Sequence, residues 1–142
     1  MPIRPFHLAI PVHDLEAARK FYADVLGCPT GRSAEHWIDF DLYGHQLVCH
    51  EIAGSGSLLA ATPSNIVDGE AVPVPHFGVV LDWQDFESLA EQLNSLGVHF
   101  LIAPSVRFAG QSGEQATMFL ADPSGNMLEF KAMRDPDRLF SA

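Results

Sequence analysis

Residues 6–12, FHLAIPV, alternate, with Leu8, Ile10 and Val12 on one side and His7, Ala9 and Pro11 on the other, which predicts a half-buried strand. Asp14 is placed to cap a helix in which Leu15, Ala18, Tyr22, Val25 and Leu26 recur at helical spacing until Gly27 stops it. After a loop containing Cys28, Pro29 and Gly31, HWIDFDL and HQLVCHEI predict two strands joined by a tight turn at Tyr43-Gly44. Residues 53–72 are small, Gly/Ser-containing and aperiodic, and predict a linker or mobile loop. The order then restarts. PHFGVVL places Phe77, Val79 and Leu81 opposite His76, Gly78 and Val80, and Asp85 can cap a helix carrying Phe86, Leu89, Ala90, Leu93 and Leu96 up to Gly97. VHFLIA is expected as a strand, Pro104 to Glu114 as a long polar loop, and ATMFLADPSGNMLEFKA as a hairpin turning at Asp122-Pro123-Ser124-Gly125.

The two halves correspond nearly position for position, since His7 precedes Gly27 by 20 residues and His76 precedes Gly97 by 21. On three strands the large apolar side chains share one face, and His7, His76 and Glu129 stand on the other. An ionised carboxylate among Met127, Leu128 and Phe130 needs solvent, an ion pair or a metal. Two imidazoles and one carboxylate are the donor set that holds a divalent metal and leaves positions open. Separations of 69 and 53 residues exclude a local clip, so the fold would have to assemble such a site. The ordinary alternative is that strand-end histidines pack against the chain or meet solvent.

Composition narrows the partners. The 142 residues, 47% hydrophobic, suffice for one domain or two small modules sharing a core. Eighteen acidic against eight basic residues give a net charge of −10, which disfavours nucleic acid and anionic membrane. The start MPIRPFHLAIPV lacks a signal peptide's apolar core, so a soluble cytoplasmic protein is expected. Cys28 and Cys49 have no metal-binding spacing and are expected as core residues.

The segments FHLAIPVHDLEAARKFYADVLG, PHFGVVL and FLADPSGNMLEFK resemble the paired βαβββ modules of the vicinal oxygen chelate superfamily, over about Phe6 to Met133. That superfamily includes glyoxalase I, fosfomycin-modifying transferases, bleomycin-resistance proteins and extradiol dioxygenases. GHQLVCHE, VPVPHFGVVL and GEQATMFLADPSGNMLEFKA are most similar to a bacterial subgroup of predicted extradiol-type dioxygenases. The resemblance implies an α+β fold with two βαβββ modules, a cup-shaped, partly open mixed sheet and helices outside. The modules would span about 5–52 and 73–133 of a single domain, followed by a tail at 134–142.

It also implies metal ligands at His7, His76 and Glu129, a divalent metal with Fe(II) favoured over Mn(II), Ni(II) or Zn(II), a small-molecule substrate and a homodimer. The expected activity is ring cleavage of a small aromatic or vicinal diol. The alternatives are a lyase, isomerase or thiol transferase on the same metal, or a non-enzymatic drug-binding protein.

His45 aligns with the catalytic histidine of ring-cleaving relatives. Phe119, a candidate substrate contact, replaces their active-site tyrosine, and no histidine stands near Gly110 where they carry a second one. Strand alternation points elsewhere: if the fourth strand mirrors the last, Gln46, Val48 and His50 face the site, with His50 a second catalytic candidate and Gln46 a polar contact. Val48 cannot be a fourth ligand. Arg107, with Phe108, Glu114 and Gln115, could form a rim that reads an anionic or aromatic ligand.

Overall fold

The computed structural model describes residues 3–56, 63–67 and 69–142, so part of the expected linker, 57–62 and 68, lies outside the described residues. The chain divides into two compact units, Met1–Pro75 with Asp122–Asn126, and His76–Ala121 with Met127–Ala142.

In the first unit, β1 (His7–Val12) is followed by α1 (Leu15–Arg19), and then β2 (Thr30–Ala34), β3 (Trp37–Leu42) and β4 (His45–Glu51) form a sheet of order β1-β4-β3-β2. β1 runs parallel to β4, and the other pairs are antiparallel. Asp14 caps α1 as its side chain suggests, accepting from the amides of Glu16 and Ala17. The helix then widens into a π-turn, Lys20–Val25, in which Leu26 N–H reaches back to Phe21 C=O. That widening buries Phe21 as well as Tyr22, and Gly27 ends the turn at φ +76°.

Behind the sheet, Ile10, Val12, Ile38, Phe40, Leu47 and Cys49 are buried. Tyr22 stacks obliquely on Phe40 and donates its hydroxyl to Asp122 Oδ2 at 2.8 Å. Asp122 also accepts from the amides of Ser124 and Asn126, and Asn126 Nδ2 donates to Pro11 C=O at 2.9 Å. These bonds tie the turn 122–126 to the end of β1.

Two stretches of this unit differ from expectation. Thr30–Ala34 is a strand rather than a loop; all five of its residues are exposed, so no apolar alternation marks it. Part of the aperiodic stretch forms a hairpin of β5 (Ser64–Val67) and β6 (Glu70–Pro73), turning at Gly69 with φ +78°.

The second unit repeats the plan. β7 (Val80–Leu81) leads into α2 (Trp83–Ser95), and β8 (Ile102–Arg107), β9 (Gln115–Ala121) and β10 (Met127–Met133) complete a sheet of order β7-β10-β9-β8, the same arrangement as in the first unit. Phe86, Leu89 and Leu93 of α2 are buried, as are Leu81, Met118, Leu120, Leu128 and Phe130 of the sheet. The N-cap is Asp82, not Asp85, which lies within the first turn.

The expected strand at 98–103 is displaced to 102–107. Its pairing with β9 slips between Ile102 and Ser105, an irregularity that accommodates Pro104, which has no amide hydrogen for the ladder. Only Val80 and Leu81 are regular strand in the PHFGVVL segment, yet Phe77 and Val79 continue the hydrogen bonding along β10. Among the described residues the fold is α+β, with mixed sheets and no closed barrel. No described helix is long and apolar enough to cross a membrane.

Candidate metal centre

β10 alternates in the second unit as its sequence suggests. Leu128, Phe130 and Ala132 are fully buried, while Met127, Glu129 and Lys131 face the other way. Glu129 pairs across with Phe119, Lys131 with Thr117, and Met133 with Gln115, so these six share one face. Val80 pairs with Lys131, and two and four residues upstream along the same segment Gly78 and His76 come to the same face.

His76 Nε2 lies 3.0 Å from Glu129 Oε2. The other carboxylate oxygen, Oε1, accepts from the Thr117 hydroxyl at 2.8 Å and has Lys131 Nζ at 3.9 Å. Thr117 is buried, and the edge-on ring contact between Phe119 and His76, with centroids 5.1 Å apart, closes the apolar side. Without a metal the carboxylate is satisfied as an ion pair, so its place in an apolar hairpin has a structural reason too.

Close backbone approach makes the pair. Phe77 N–H donates to Met127 C=O, and Glu129 N–H donates to Phe77 C=O at 2.8 Å. Between them stands Gly78, where a Cβ would overlap the Glu129 carbonyl, so only glycine lets the two segments come together.

The donor chemistry fits a divalent ion. His76 Nε2 and Glu129 Oε2 meet on one sheet face as a nitrogen and an oxygen donor of the kinds that would hold a first-row divalent ion. Thr117 would hold the outer oxygen as carboxylate ligands are commonly held. Among the described residues no group of three or more His, Cys, Asp or Glu side chains is gathered closely enough to hold a metal.

The remaining candidates belong to the first unit or to the end of β8. His7 is exposed on β1, with Nδ1 2.7 Å from Gln46 Oε1. The β1–β4 register sets His7 beside Gln46, Ala9 beside Val48 and Pro11 beside His50, so Gln46, Val48 and His50 share the His7 face. Strand alternation therefore decides the β4 register, and no bulge brings His45 to that face. His45 stands at the turn, where its Nδ1 accepts from the Phe6 amide at 2.9 Å.

Arg107 ends β8 opposite Gln115, on the Glu129 face. Glu114 accepts from Gly110 N–H and from Arg134 Nε at 2.7 Å; these bonds hold its carboxyl below the usual range, the backbone bond contributing most. Thr117 and Asp39, the second of which accepts from Gln46 Nε2 at 3.2 Å, escaped sequence reading. A polar residue on the wet face of an otherwise apolar strand was the available signal for each.

The two cysteines are buried, and burial raises both thiols, Cys28 to about 12. They are core residues of the first unit.

Residues 4–130 match the model of the Glyoxalase/Bleomycin resistance protein/Dioxygenase superfamily. A glyoxalase/bleomycin resistance protein/dioxygenase from Alicyclobacillus acidocaldarius is 34% identical, with 99% of this chain and 98% of that one covered at a TM-score of 0.76. The fosfomycin resistance protein FosX from Listeria monocytogenes is 17% identical, with coverage of 98% and 100% and a TM-score of 0.65. A glyoxalase/dioxygenase from Nostoc punctiforme is 16% identical, with coverage of 93% and 92% and a TM-score of 0.65. Comparison with curated proteins gave no match. With a family model covering nearly its whole length and a relative one-third identical over both chains, this chain belongs to the glyoxalase/bleomycin resistance/dioxygenase superfamily.

Proposed function

We propose that the protein is a divalent-metal enzyme acting on a small molecule with adjacent oxygens, as an extradiol-type dioxygenase on a small aromatic or vicinal diol. His76 and Glu129 supply two ligands and His7 the third. The 3.0 Å approach of His76 Nε2 to Glu129 Oε2, which brings an imidazole and a carboxylate donor together on one sheet face, carries this reading. Two neutral nitrogens with one carboxylate suit Fe(II) and Mn(II), with Fe(II) favoured. When bound, the ion would polarise a chelated diol and lower its pKa, and as Fe(II) would supply the redox chemistry that O₂ requires.

The chain's own residues do the rest. Thr117 fixes Glu129 so that Oε2 points to the ligand position. Lys131, 3.9 Å from Oε1, tempers the carboxylate's charge, and the Phe119 ring packs edge-on against the His76 ring. Arg107, on the same sheet face, is the candidate anion contact. His50 shares the His7 face and is the better-placed acid/base candidate, because His45 already accepts a backbone amide. The expected assembly is a homodimer.

Two observations favour a second reading, a lyase, isomerase or thiol transferase on the same ligands: the engagement of His45 with Phe6, and phenylalanine at position 119. Anaerobic loading with Fe(II), then oxygen uptake over a catechol panel, separates the two. Uptake with ring-opened product supports the dioxygenase. No uptake with any catechol, together with Mn(II)- or Ni(II)-dependent turnover of a thiol adduct, rejects it in favour of the second.

A further inference from the structure

A chain of three polar side chains runs across the wet face of the first unit's sheet. His7 Nδ1 lies 2.7 Å from Gln46 Oε1, and Gln46 Nε2 lies 3.2 Å from Asp39 Oδ2. The register accounts for the alignment: His7 is beside Gln46, Gln46 is beside Asp41, and Asp39 follows two residues along β3 on the same face. Asp39 is 8% exposed. Part of its cover is Gly31 of β2, where an added Cβ would stand 3.1 Å from Asp39 Cβ. Arg32 Nε is 3.9 Å from Asp39 Oδ2, beyond hydrogen-bond range, so Gln46 is the closer partner.

The donors and acceptors admit one arrangement. An ionised carboxylate only accepts, so Asp39 takes the amide NH₂ of Gln46. The amide oxygen is thereby turned to His7, and it too only accepts. Nδ1 of His7 must therefore carry the proton, which leaves Nε2 with its lone pair. We propose that Asp39 and Gln46 are positioning residues that fix His7 in the Nδ1–H tautomer, so that Nε2 is its ligating atom. The tautomer stands on the first unit alone; its use in ligation rests on the metal reading above. Metal-ligating histidines are commonly held this way through their second nitrogen.

Long-range ¹H–¹⁵N spectra of metal-free, ¹⁵N-labelled protein at about pH 8 report which ring nitrogen of His7 is bare. The wild type is expected to show protonated Nδ1 and bare Nε2. Gln46→Leu, checked for folding by circular dichroism, should lose that preference and drift to the Nε2–H form that unconstrained imidazoles favour. Asp39→Asn keeps the shape but can donate as well as accept, so the amide turns freely and a tautomer mixture results. A wild type with protonated Nε2, or an unchanged tautomer in Gln46→Leu, overturns the proposal.

Titration with Co(II) alone then reads the consequence, with Gln46→Leu expected to bind about tenfold more weakly. Equal affinity would overturn the positioning role. A wild type that has the expected tautomer but takes up no Co(II) supports the relay and refutes the metal reading.

Discussion

Replacing Gly78 by alanine strikes fold and site at one point. The new methyl would overlap the Glu129 carbonyl, and that oxygen belongs to β10 backbone rather than to a side chain that can swing away. Relief requires the 76–80 segment to leave β10, stretching the bonds Phe77 N–H to Met127 C=O, Glu129 N–H to Phe77 C=O and Lys131 N–H to Val79 C=O. At about 0.5–1.5 kcal/mol net for each hydrogen bond, the loss comes to about 2–4 kcal/mol. That is comparable to the cost of overpacking a core. For a domain of this size it corresponds to a fall in Tm of roughly 6–16 °C. The same displacement carries His76 from Glu129, so divalent-metal affinity should fall together with stability.

Gly113 is the matched control, with open space where its Cβ would be and no positive φ. Urea titrations of both variants at constant m, paired with Co(II) titrations, make the measurement. A Gly78→Ala protein within about 0.5 kcal/mol of the Gly113→Ala control, the range of an ordinary surface substitution, would refute the close approach on which the pair depends.

Tyr22→Phe removes one donor from Asp122, which keeps three others; a hydrogen bond to a charged group is worth about 1.5–3 kcal/mol, and unfolding in urea should show a loss at the lower end. No change would mean that the Tyr22 hydroxyl does not hold the 122–126 turn. Thr117→Val, close in shape, strips the outer oxygen of Glu129 of its donor and should weaken Co(II) binding about tenfold or more, with unchanged affinity counting against Thr117 as the carboxylate's support. Burial, reinforced by Asp41, raises the Cys28 thiol to about 12, and burial likewise raises Cys49. A raised folded-state pKa gives stability that is complete below the unfolded thiol value of about 8.5 and lost as pH climbs above it, by up to about 1.4 kcal/mol per pH unit per thiol. The urea midpoint should hold from about pH 7 to 8 and decline above about 9, less steeply in Cys28→Ser; a midpoint level to pH 10 would contradict this.

An element is legible in the sequence where one of its sides meets a core and the other does not. Leu128 and Phe130 against Glu129 and Lys131, or Ile10 and Val12 against His7, display the period of two because burial imposes it. Gly27 and Gly97 adopt positive φ after helices, a conformation that punishes side chains, so both helix ends were visible.

Thr30–Ala34 escaped because a strand exposed along its whole length has no apolar signature. Pro104 looked like a loop because it breaks the ladder it sits in. The π-turn is a backbone event with no residue code of its own. In the candidate centre, histidines and a carboxylate announce themselves by type. Thr117 and Asp39 act only through neighbours, and their parts emerge from the pairings Lys131–Thr117 and Asp39–Val48, which no local window contains.

Whether Glu129 and His76 hold a divalent ion is read from equilibrium titration of metal-stripped protein with Co(II), followed by its visible absorption, in the wild type, His76→Ala and Glu129→Gln. One ion per chain is expected in the wild type, with either substitution raising Kd at least about tenfold, the least expected when even a supporting residue is lost. Wild-type protein that takes up no ion, or a Glu129→Gln variant that binds as tightly as its parent, would contradict the assignment of His76 and Glu129 as ligands.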